Sequence, residues 1–266
     1  MKRAYKLAAA AAVALSVFMG PAAYAEDTIR FGTAPEPYPP FSSKDASGKW
    51  VGWEIELMDA VCAQMKAKCQ IVEISWDGLI PALNAKQIDV IWNSMSITDE
   101  RKKVIDFTNK YYNTPAVVIG PKDVKFGPNP EDMKGKTVGV QVSTIHENYV
   151  KKYFEPAGAT VKSYQTQDEA NQDLAAGRID AIMADAVALD AFLQSDQGKQ
   201  CCDLKGAVKD DPAILGAGVG GGVRKDDTAL KDKLNAAIAA VRADGTYKKI
   251  SDKYFAFDIY GPATGN

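Results

Sequence analysis

Short runs rich in β-branched residues alternate with helical patterns along most of the chain. Thr28–Thr33 predicts a strand, and Glu54–Lys66 carries apolar residues at helical spacing. Gln70–Ser75 alternates like a second strand, Asp77–Ala85 predicts a helix opened by an Asp cap, and Asp89–Trp92 predicts a compact buried strand. This βαβα order predicts a mainly parallel sheet with helices on both faces.

A second set of the same elements follows. The predicted strands are Ala116–Ile119, Thr137–Val142, Thr160–Tyr164 and Ala181–Met183. Two predicted helices begin at T-x-x-E capping boxes, at Thr144 and at Thr166. Gly206–Gly222 is glycine-rich without periodicity, Asp227–Ala243 predicts a long helix, and Tyr247–Tyr254 predicts a last turn or two. The two sets predict two α/β lobes.

The first 25 residues have the features of a secretory signal peptide. A basic start precedes an apolar run to about Phe18, and Ala23-Tyr24-Ala25 has the small-x-small pattern that a signal peptidase recognises. That run is shorter than the roughly 20 residues that span a bilayer. We therefore expect an exported, soluble mature protein.

The charge balance excludes one class of partner. The formal net charge of the 266 residues is −2, and it becomes −5 without the first 25. A mildly acidic protein has no whole-surface attraction for nucleic acid, so we predict no nucleic-acid partner.

Four cysteines allow several pairings in an exported protein. On one continuous helix, the Cα atoms of Cys62 and Cys69 would lie about 10 Å apart, too far for a bond. A helix that ends near Lys66 would let the chain turn back and pair them, which we favour over two buried thiols. The adjacent Cys201 and Cys202 leave three states open: bonded to each other, free, or linked to another molecule.

Two motifs that suggest catalysis or cofactor binding have simpler explanations. Gly216–Gly221 matches G-x-G-x-x-G, but Val223–Asp226 intervenes before the next predicted helix. We expect a tightly packed crossing strand or a connection between lobes at that point. His146 is the single histidine, so a Ser-His-Asp triad or a His-rich metal site would have to be built around it. Ser143 nearby is better explained as part of a helix start, and we predict no catalytic residue and no metal.

Aromatic residues follow two predicted strands, where α/β proteins often hold ligands. Tyr38 and Phe41 lie in a proline-rich loop, and Trp76 comes directly after a strand. Each alone is typical of a core residue. Together they predict a slot for a flat, aliphatic or cationic group.

Two charged residues have both a structural and a functional interpretation. Arg101 stands in the first turn of a helix, where acids are usual. It is either a surface ion-pair partner of Asp99 or Asp106, or a fork of donors for a carboxylate. Asp185 ends an apolar strand and precedes an apolar helix, so it is either a plain helix cap or a counter-charge for a ligand.

Five longer motifs point to a known family. They are FSSKDASGKWVGWEIEL (Phe41–Leu57), WDGLIPALNAKQIDVI (Trp76–Ile91), SMSITDERKKVIDFT (Ser94–Thr108), KGKTVGVQ (Lys134–Gln141) and RADGTYKKISDKYF (Arg242–Phe255). With these motifs, the chain resembles the periplasmic solute-binding proteins of polar amino-acid ABC importers, from about Ile29 to Tyr260. It is most similar to the lysine/arginine/ornithine- and histidine-binding branch, with opine-binding relatives nearby. Cys62 and Cys69 match a pair that is bridged in this branch.

The resemblance implies an α/β fold of the type II periplasmic-binding-protein class, with two lobes, two hinge strands and a ligand cleft between the lobes. The implied division is residues 26–113 with 217–260 for lobe 1, 114–216 for lobe 2, hinges near 112–117 and 208–216, and a tail at 261–266. It also implies a periplasmic monomer without a cofactor, which passes its ligand to an inner-membrane ABC permease.

Most of the implied ligand contacts are charged or aromatic. Arg101 and Ser96 would bind the α-carboxylate of an amino acid, and Asp185 of the other lobe would bind the α-ammonium. Tyr38 and Trp76 would enclose the side chain, with Trp76 standing where relatives have Phe. Two opposite charges held by different lobes make closure on the ligand the cheapest way to satisfy both.

The remaining implied contacts lie at the ends of the ligand. Asn93 and Ser94 would line the side-chain pocket. The helix start formed by Thr144, Ile145 and His146 would offer backbone N–H groups to the carboxylate.

One loop departs from the pattern of the family. Ala34–Pro40 is one residue longer than in relatives, so the acid that binds the ligand side chain aligns with Ala34. Glu36, two residues on, is the expected substitute. We therefore predict a binding protein for arginine, lysine, ornithine or histidine. The alternatives are an opine-binding protein and, further away, a periplasmic dehydratase or lyase on the same fold.

Overall fold

The computed structural model describes residues 28–261, so the predicted signal peptide at 1–25 and nearly all of the tail lie outside the described residues. The strands are β1 (Ile29–Thr33), β2 (Ser43–Lys44), β3 (Trp50–Val51), β4 (Cys69–Glu73), β5 (Val90–Ile91), β6 (Asp106–Phe107), β7 (Ala116–Pro121), β8 (Thr137–Gln141), β9 (Thr160–Tyr164), β10 (Ala181–Asp185), β11 (Cys202–Ala207) and β12 (Gly222–Val223). The helices are α1 (Trp53–Met65), α2 (Leu79–Asn84), α3 (Asp99–Lys102), α4 (Ile145–Tyr149), α5 (Gln167–Ala175), α6 (Ala186–Gln194), α7 (Asp196–Cys201), α8 (Pro212–Leu215), α9 (Thr228–Ala243) and α10 (Thr246–Ser251).

Two five-stranded sheets organise the fold, as the repeated βα pattern predicts. The first has the strand order β4-β1-β5-β12-β6 and the second β11-β7-β10-β8-β9. Parallel pairs join β1 to β4 and β5, and join β8 to β9 and β10. The strands β12 and β7 run antiparallel to their neighbours, so both sheets are mixed. We call the first sheet with its helices lobe 1 and the second lobe 2.

Helices cover both faces of each sheet. In lobe 1, one core surrounds Trp53 and Trp92 and includes apolar residues of α1, α9 and α10, while a second core around Leu79 and Ile91 includes α2. Lobe 2 has one core around Val140 and Phe154 and another around Ile182 with α5 and α6. The C-terminal helices therefore return to lobe 1, as the family resemblance implies.

The glycine-rich segment is a tightly packed crossing strand. Val219 exchanges backbone hydrogen bonds with residues 111 and 112, and residues 217 and 218 do so with Ile97. A Cβ on Gly216 would lie 2.4 Å from the carbonyl oxygen of Ile97, and one on Gly218 would lie 2.8 Å from that of Tyr112. Both glycines also have a positive φ. Backbone crowding therefore explains the G-x-G-x-x-G match, and the prediction of a crossing strand is confirmed.

Each cysteine pair is closed. The helix α1 ends at Met65, Lys66 adopts a left-handed conformation, and Cys62 bonds Cys69 with their Cα atoms 6.3 Å apart. The bond predicted on these grounds is confirmed. Cys201 bonds Cys202 at the junction of α7 and β11, which selects one of the three states left open by the sequence.

Several elements differ from the sequence prediction. The edge strand β11 and the short helix α8 fall in or beside the stretch that shows no periodicity, and neither was predicted. At the start of α4, the Thr144 hydroxyl caps the N–H of Glu147. The Glu147 carboxylate accepts from the N–H of Ser143 and not from that of Thr144, so the predicted capping box is displaced by one residue.

Between residues 28 and 261, none of the helices is both long enough and apolar enough to cross a bilayer.

Candidate functional site: a cavity between the two lobes

A cavity between the lobes collects most of the predicted site residues. Its lining, here called the cleft cavity, is Ala34, Glu36, Pro37, Tyr38, Trp76, Asn93, Ser94, Ser96, Arg101, Gln141, Thr144, Ile145, His146 and Gln167. A second, hinge-side cavity shares Tyr38, Ser94, Ser96, Ile145 and His146 with it and adds Asp185 and parts of both interlobe connections. The eleven predicted site residues therefore all line one of two adjoining cavities.

Arg101 spans the gap between the lobes. One terminal guanidinium nitrogen donates to the carbonyl of Ser96 at 3.0 Å, and the other donates to the carbonyl of Ser143, in lobe 2, at 3.1 Å. Burial lowers the pKa of Arg101 to about 10, which leaves it charged at neutral pH. The structure pairs it with neither Asp99 nor Asp106, which bond Lys102 and Lys231, so the surface ion-pair interpretation is wrong.

Trp76 also contacts both lobes. Its indole Nε1–H donates to the carbonyl of Val142 at 3.0 Å. Its ring lies 5.5 Å from the guanidinium carbon of Arg101, within cation–π distance. The guanidinium of Arg101 therefore lies beside Trp76, one of the aromatic residues expected to form the slot.

Asp185 acts as a helix cap and also lines the hinge-side cavity. One carboxylate oxygen accepts from the N–H groups of Val187 and Ala188 at 2.9 and 3.2 Å, and the other accepts from the hydroxyl of Thr114. Burial raises the pKa of the Asp185 carboxyl, although these three donors oppose the rise. The two interpretations of the sequence are thus compatible with each other.

Glu36 places an unsatisfied acceptor at the cleft cavity. Its Oε2 atom is buried and has no hydrogen-bond donor among the residues that the structure describes. An unpaired buried acceptor is costly, so this carboxylate is available to a donor that the described residues do not provide.

Tyr38 lies against the core and close to two acids. Its ring stacks on Phe41 with centroids 5.7 Å apart. Burial, followed by the charges of Asp185 and Glu54, raises the pKa of Tyr38 well above its usual value. The phenol therefore stays protonated at neutral pH.

Ser94 is held in a rare backbone conformation by a buried acid. Its φ is +54°, in the left-handed region that non-glycine residues seldom adopt. The carboxylate of Glu54, itself fully buried, accepts from the N–H of Ser94 at 2.8 Å and from its hydroxyl at 2.9 Å. The Tyr111 hydroxyl donates to the same carboxylate.

The helix start of lobe 2 presents a neutral histidine. Thr144 caps α4, followed by Ile145 and His146 at the wall of both cavities. Burial, with a smaller effect from the charge of Arg101, lowers the pKa of His146 to about 3. His146 is therefore an uncharged wall of the site throughout the physiological pH range.

Asn93 supports the Pro-rich loop that follows β1. Its side-chain oxygen accepts from the N–H of Ala34 at 3.1 Å, which ties the start of the Pro-rich loop to the end of β5. Ala34 is buried at the wall of the cleft cavity, and Glu36 is the carboxylate that this loop brings to it.

Sequence reasoning missed several contributors. Glu54 lies in the first turn of α1, where an acid is usual, and no pattern indicated that it is buried beneath Ser94. Gln141 and Gln167 line the cleft cavity from lobe 2 and were not predicted either. The carbonyls of Val142 and Ser143 take part through the backbone alone, which residue types cannot reveal.

Comparisons with known proteins point in one direction. The sequence profile of bacterial extracellular solute-binding proteins, family 3, matches residues 29–257. The chain is 47% identical over 257 residues to the L-arginine-binding protein of Pseudomonas aeruginosa, covering 96% of this chain and 98% of that protein. It is 42% identical over 259 residues to the histidine-binding periplasmic protein of Salmonella typhimurium, covering 96% and 99%.

A solved structure agrees with the sequence comparison. An ancestral arginine-binding protein bound to arginine matches the fold with a TM-score of 0.79 and 36% sequence identity, covering 86% of this chain and 98% of that one. The two-lobe architecture predicted from the sequence is therefore also that of proteins that bind amino acids.

Proposed function

The chain belongs to family 3 of the bacterial extracellular solute-binding proteins, and we propose that it captures a basic amino acid and delivers it to an ABC permease. The candidate ligands are arginine, lysine, ornithine and histidine. Two similar proteins are named for arginine and for histidine. The protein would act as a monomer in the periplasm, after removal of residues 1–25.

The observation that carries the proposal is the placement of two opposite charges in different lobes. Arg101 of lobe 1 lines the cleft cavity, and Asp185 of lobe 2 lines the adjoining hinge-side cavity. An α-amino acid carries a carboxylate and an ammonium, and desolvating each costs several kcal/mol unless a counter-charge compensates. In this proposal Arg101, with Ser96, binds the carboxylate, and Asp185 binds the ammonium.

The charges around the site favour a cationic side chain. The buried Oε2 of Glu36 has no donor among the described residues, and a guanidinium, ammonium or imidazolium would supply one. Tyr38 and Trp76 add aromatic faces that suit methylenes and planar cations. Ser94 and Asn93 would complete the pocket, with Thr144, Ile145 and His146 closing it from lobe 2.

The same charges argue against an opine. Among the described residues that line the two cavities, Arg101 is the one Lys or Arg, and His146 is neutral. The second carboxylate of an opine would therefore lack a cationic partner.

The names of the similar proteins are those of binding proteins. We propose that this chain, too, performs no chemistry; release of an altered product on prolonged incubation would instead favour a dehydratase or lyase.

The proposed lobe boundaries follow the two passages of the chain between the sheets. We place lobe 1 at residues 26–113 and 217–260, lobe 2 at 114–216, and hinges at 112–117 and 208–216. Two backbone contacts near these passages support the placement: Val219 pairs with Tyr112, and the N–H of Val208 donates to the carbonyl of Ala116.

Hinge closure can be tested by small-angle scattering. A saturating ligand should make the protein more compact; identical profiles with and without ligand would contradict hinge closure.

A competition panel tests the proposed ligand class. Isothermal calorimetry or thermal shift would rank arginine, lysine, ornithine and histidine against glutamate, glutamine, alanine and octopine. A ligand at 100 times its dissociation constant should stabilise the folded protein by about 2.7 kcal/mol. The basic amino acids should bind most tightly. If glutamate, a short apolar amino acid or octopine competes more strongly, the assignment to basic amino acids is wrong.

A further inference from the structure

Two side chains of lobe 1 donate hydrogen bonds to consecutive carbonyls of lobe 2. Trp76 Nε1–H donates to Val142 at 3.0 Å, and the Arg101 guanidinium donates to Ser143 at 3.1 Å. The Trp76 ring and the guanidinium also face each other at 5.5 Å. These contacts bridge the lobes directly, at the wall of the cleft cavity.

The two acceptors are fixed within lobe 2. The N–H of Val142 donates to the backbone carbonyl of Tyr164 in β9 at 2.8 Å, and the N–H of Ser143 donates to the carboxylate of Glu147 at 2.8 Å. Glu147 is buried and also accepts from the hydroxyl of Ser163 at 2.6 Å. Ser143 has a φ of +60°, so its carbonyl is presented by an uncommon backbone conformation that this network maintains.

The two donors are fixed within lobe 1. Trp76 begins a 3₁₀ turn (Trp76–Gly78) shortly after β4. Arg101 is held by its other terminal nitrogen on the carbonyl of Ser96 and by its backbone N–H on the Thr98 hydroxyl at 3.2 Å. Donors and acceptors are therefore each positioned by their own lobe, so a rotation of one lobe away from the other would separate them.

We propose that the Trp76–Val142 hydrogen bond is an interlobe latch that stabilises the closed form, whether or not a ligand is bound. Arg101 would also bind the ligand carboxylate, so its effect on closure cannot be separated from ligand binding. The indole N–H of Trp76 donates to lobe 2. In the unliganded protein the latch raises the closed population. In the liganded protein the latch slows ligand release, and this second effect rests on the proposed function.

The strength of such a latch suits a protein that must reopen. One hydrogen bond changes an equilibrium by a factor of roughly 2 to 10, because folding or closure replaces hydrogen bonds to water. A shift of this size changes the closed fraction but does not lock the protein. Phenylalanine is the sharp test, since it keeps an aromatic ring at the cavity and removes only the donor and part of the ring.

The experiment compares the wild-type protein with Trp76→Phe and with Trp50→Phe as the matched control. Trp50 lies on the β2–β3 hairpin of lobe 1, where its ring stands 5.2 Å from the Lys44 ammonium. Closure without ligand is measured by single-molecule Förster resonance energy transfer between two dye labels. The labels are attached at Asn84→Cys of lobe 1 and Asp190→Cys of lobe 2, which are both exposed positions. Replacement of Trp76 by 3-benzothienylalanine removes the N–H at nearly constant shape.

We expect Trp76→Phe and the benzothienyl variant to lower the closed-to-open ratio roughly 2- to 10-fold without ligand, and to speed arginine dissociation by a similar factor. Association rates should change less, because related complexes differ mainly in dissociation. Trp50→Phe should behave like the wild type. Equal closed fractions and equal dissociation rates in all variants would overturn the latch. If instead closure depends on Trp76 while no basic amino acid binds, the latch stands and the proposed function fails.

Discussion

Glu54 lies directly beneath Ser94 and bonds it twice, through the backbone N–H at 2.8 Å and through the hydroxyl at 2.9 Å. The acid is fully buried in lobe 1, and Ser94 faces both cavities between the lobes. The pair thus connects the core of one lobe to the wall of the site. Burial raises the pKa of Glu54, while the donors Tyr111 and Ser94 oppose the rise.

We expect Glu54→Gln to lower both stability and affinity. The amide keeps the size of the side chain but turns one acceptor into a donor, so a buried donor near Ser94 or Tyr111 loses its partner. Such a loss costs roughly 1–3 kcal/mol in the free energy of unfolding. Denaturant unfolding and calorimetry would measure both effects. Glu56→Gln, which loses only contacts to Lys253 and Tyr254 near the surface, is the control; equal behaviour of the two variants would contradict a positioning role for Glu54.

Arg101→Ala should abolish binding and leave the protein folded. Removing one partner of a desolvated charge pair costs roughly 2–5 kcal/mol of binding free energy. Calorimetry would measure the affinity, and circular dichroism would monitor the fold. Arg178→Ala removes an arginine that pairs with Asp173 on the surface of lobe 2 and should bind normally. An unchanged affinity in Arg101→Ala would exclude the proposed carboxylate contact.

Ligand affinity should fall as the pH is lowered through the raised pKa of Asp185. Acid protonates this carboxyl earlier than an ordinary Asp, because burial disfavours its charged form. Protonation removes the partner of the ligand ammonium. The contribution of Asp185 to the stability of the unliganded protein should change in the opposite direction. The folded state binds this proton more tightly than the unfolded chain, so that contribution grows as the pH falls through the same range.

Two variants separate Asp185 from other titrating groups. Asp185→Asn keeps the oxygen that caps α6 and should bind weakly, and it should lose the part of the pH dependence that Asp185 contributes. His146→Gln should keep the wild-type pH profile, since the pKa of His146, about 3, leaves it neutral above that value. Calorimetry at a series of pH values measures these profiles. A profile that disappears in His146→Gln and persists in Asp185→Asn would reverse the assignment.

Glu36→Gln should weaken basic ligands selectively. Loss of a charged acceptor for the distal cation should cost roughly 1.5–3 kcal/mol for arginine or lysine, and far less for glutamine. The unliganded protein should lose no stability, because Glu36 Oε2 has no donor among the described residues. Competition binding measures the ratio of arginine to glutamine affinity, with the exposed Glu155→Gln as control. An unchanged ratio would show that Glu36 does not contact the ligand side chain.

The elements predicted from the sequence are those with a strong local signal. The strands β1, β8 and β9 are predicted almost to the residue, and α9 begins at the Asp227 cap as expected. The edge strand β11 was not predicted, because CDLKGA has no sustained apolar alternation and its pairing with β7 shifts register between Leu204 and Gly206. Long-range pairing defines that strand, and local patterns do not report pairing.

The site divides in a similar way. Arg101 and Trp76 were singled out because an Arg in the first turn of a helix and an aromatic residue directly after a strand are unusual, and Asp185 because it stands between an apolar strand and an apolar helix. The contact between Trp76 and Val142 joins residues 66 positions apart in different lobes, and its acceptor is a backbone carbonyl. Spacing within one segment carries no information about such a pair. The family resemblance supplied the roles of the residues, and the structure adds the hydrogen bonds between them.

The place of β12 in its sheet has a consequence for biosynthesis. Although β12 comes from residues 222 and 223, it lies between β5 and β6, which belong to the first half of the chain. A nascent chain of about 210 residues therefore contains every strand of the second sheet, while the first sheet still lacks the strand that joins β5 to the edge strand β6. Since domains generally fold as units and the chain emerges from its N-terminal end, lobe 2 would be complete first, and the last part of the chain to emerge would complete lobe 1.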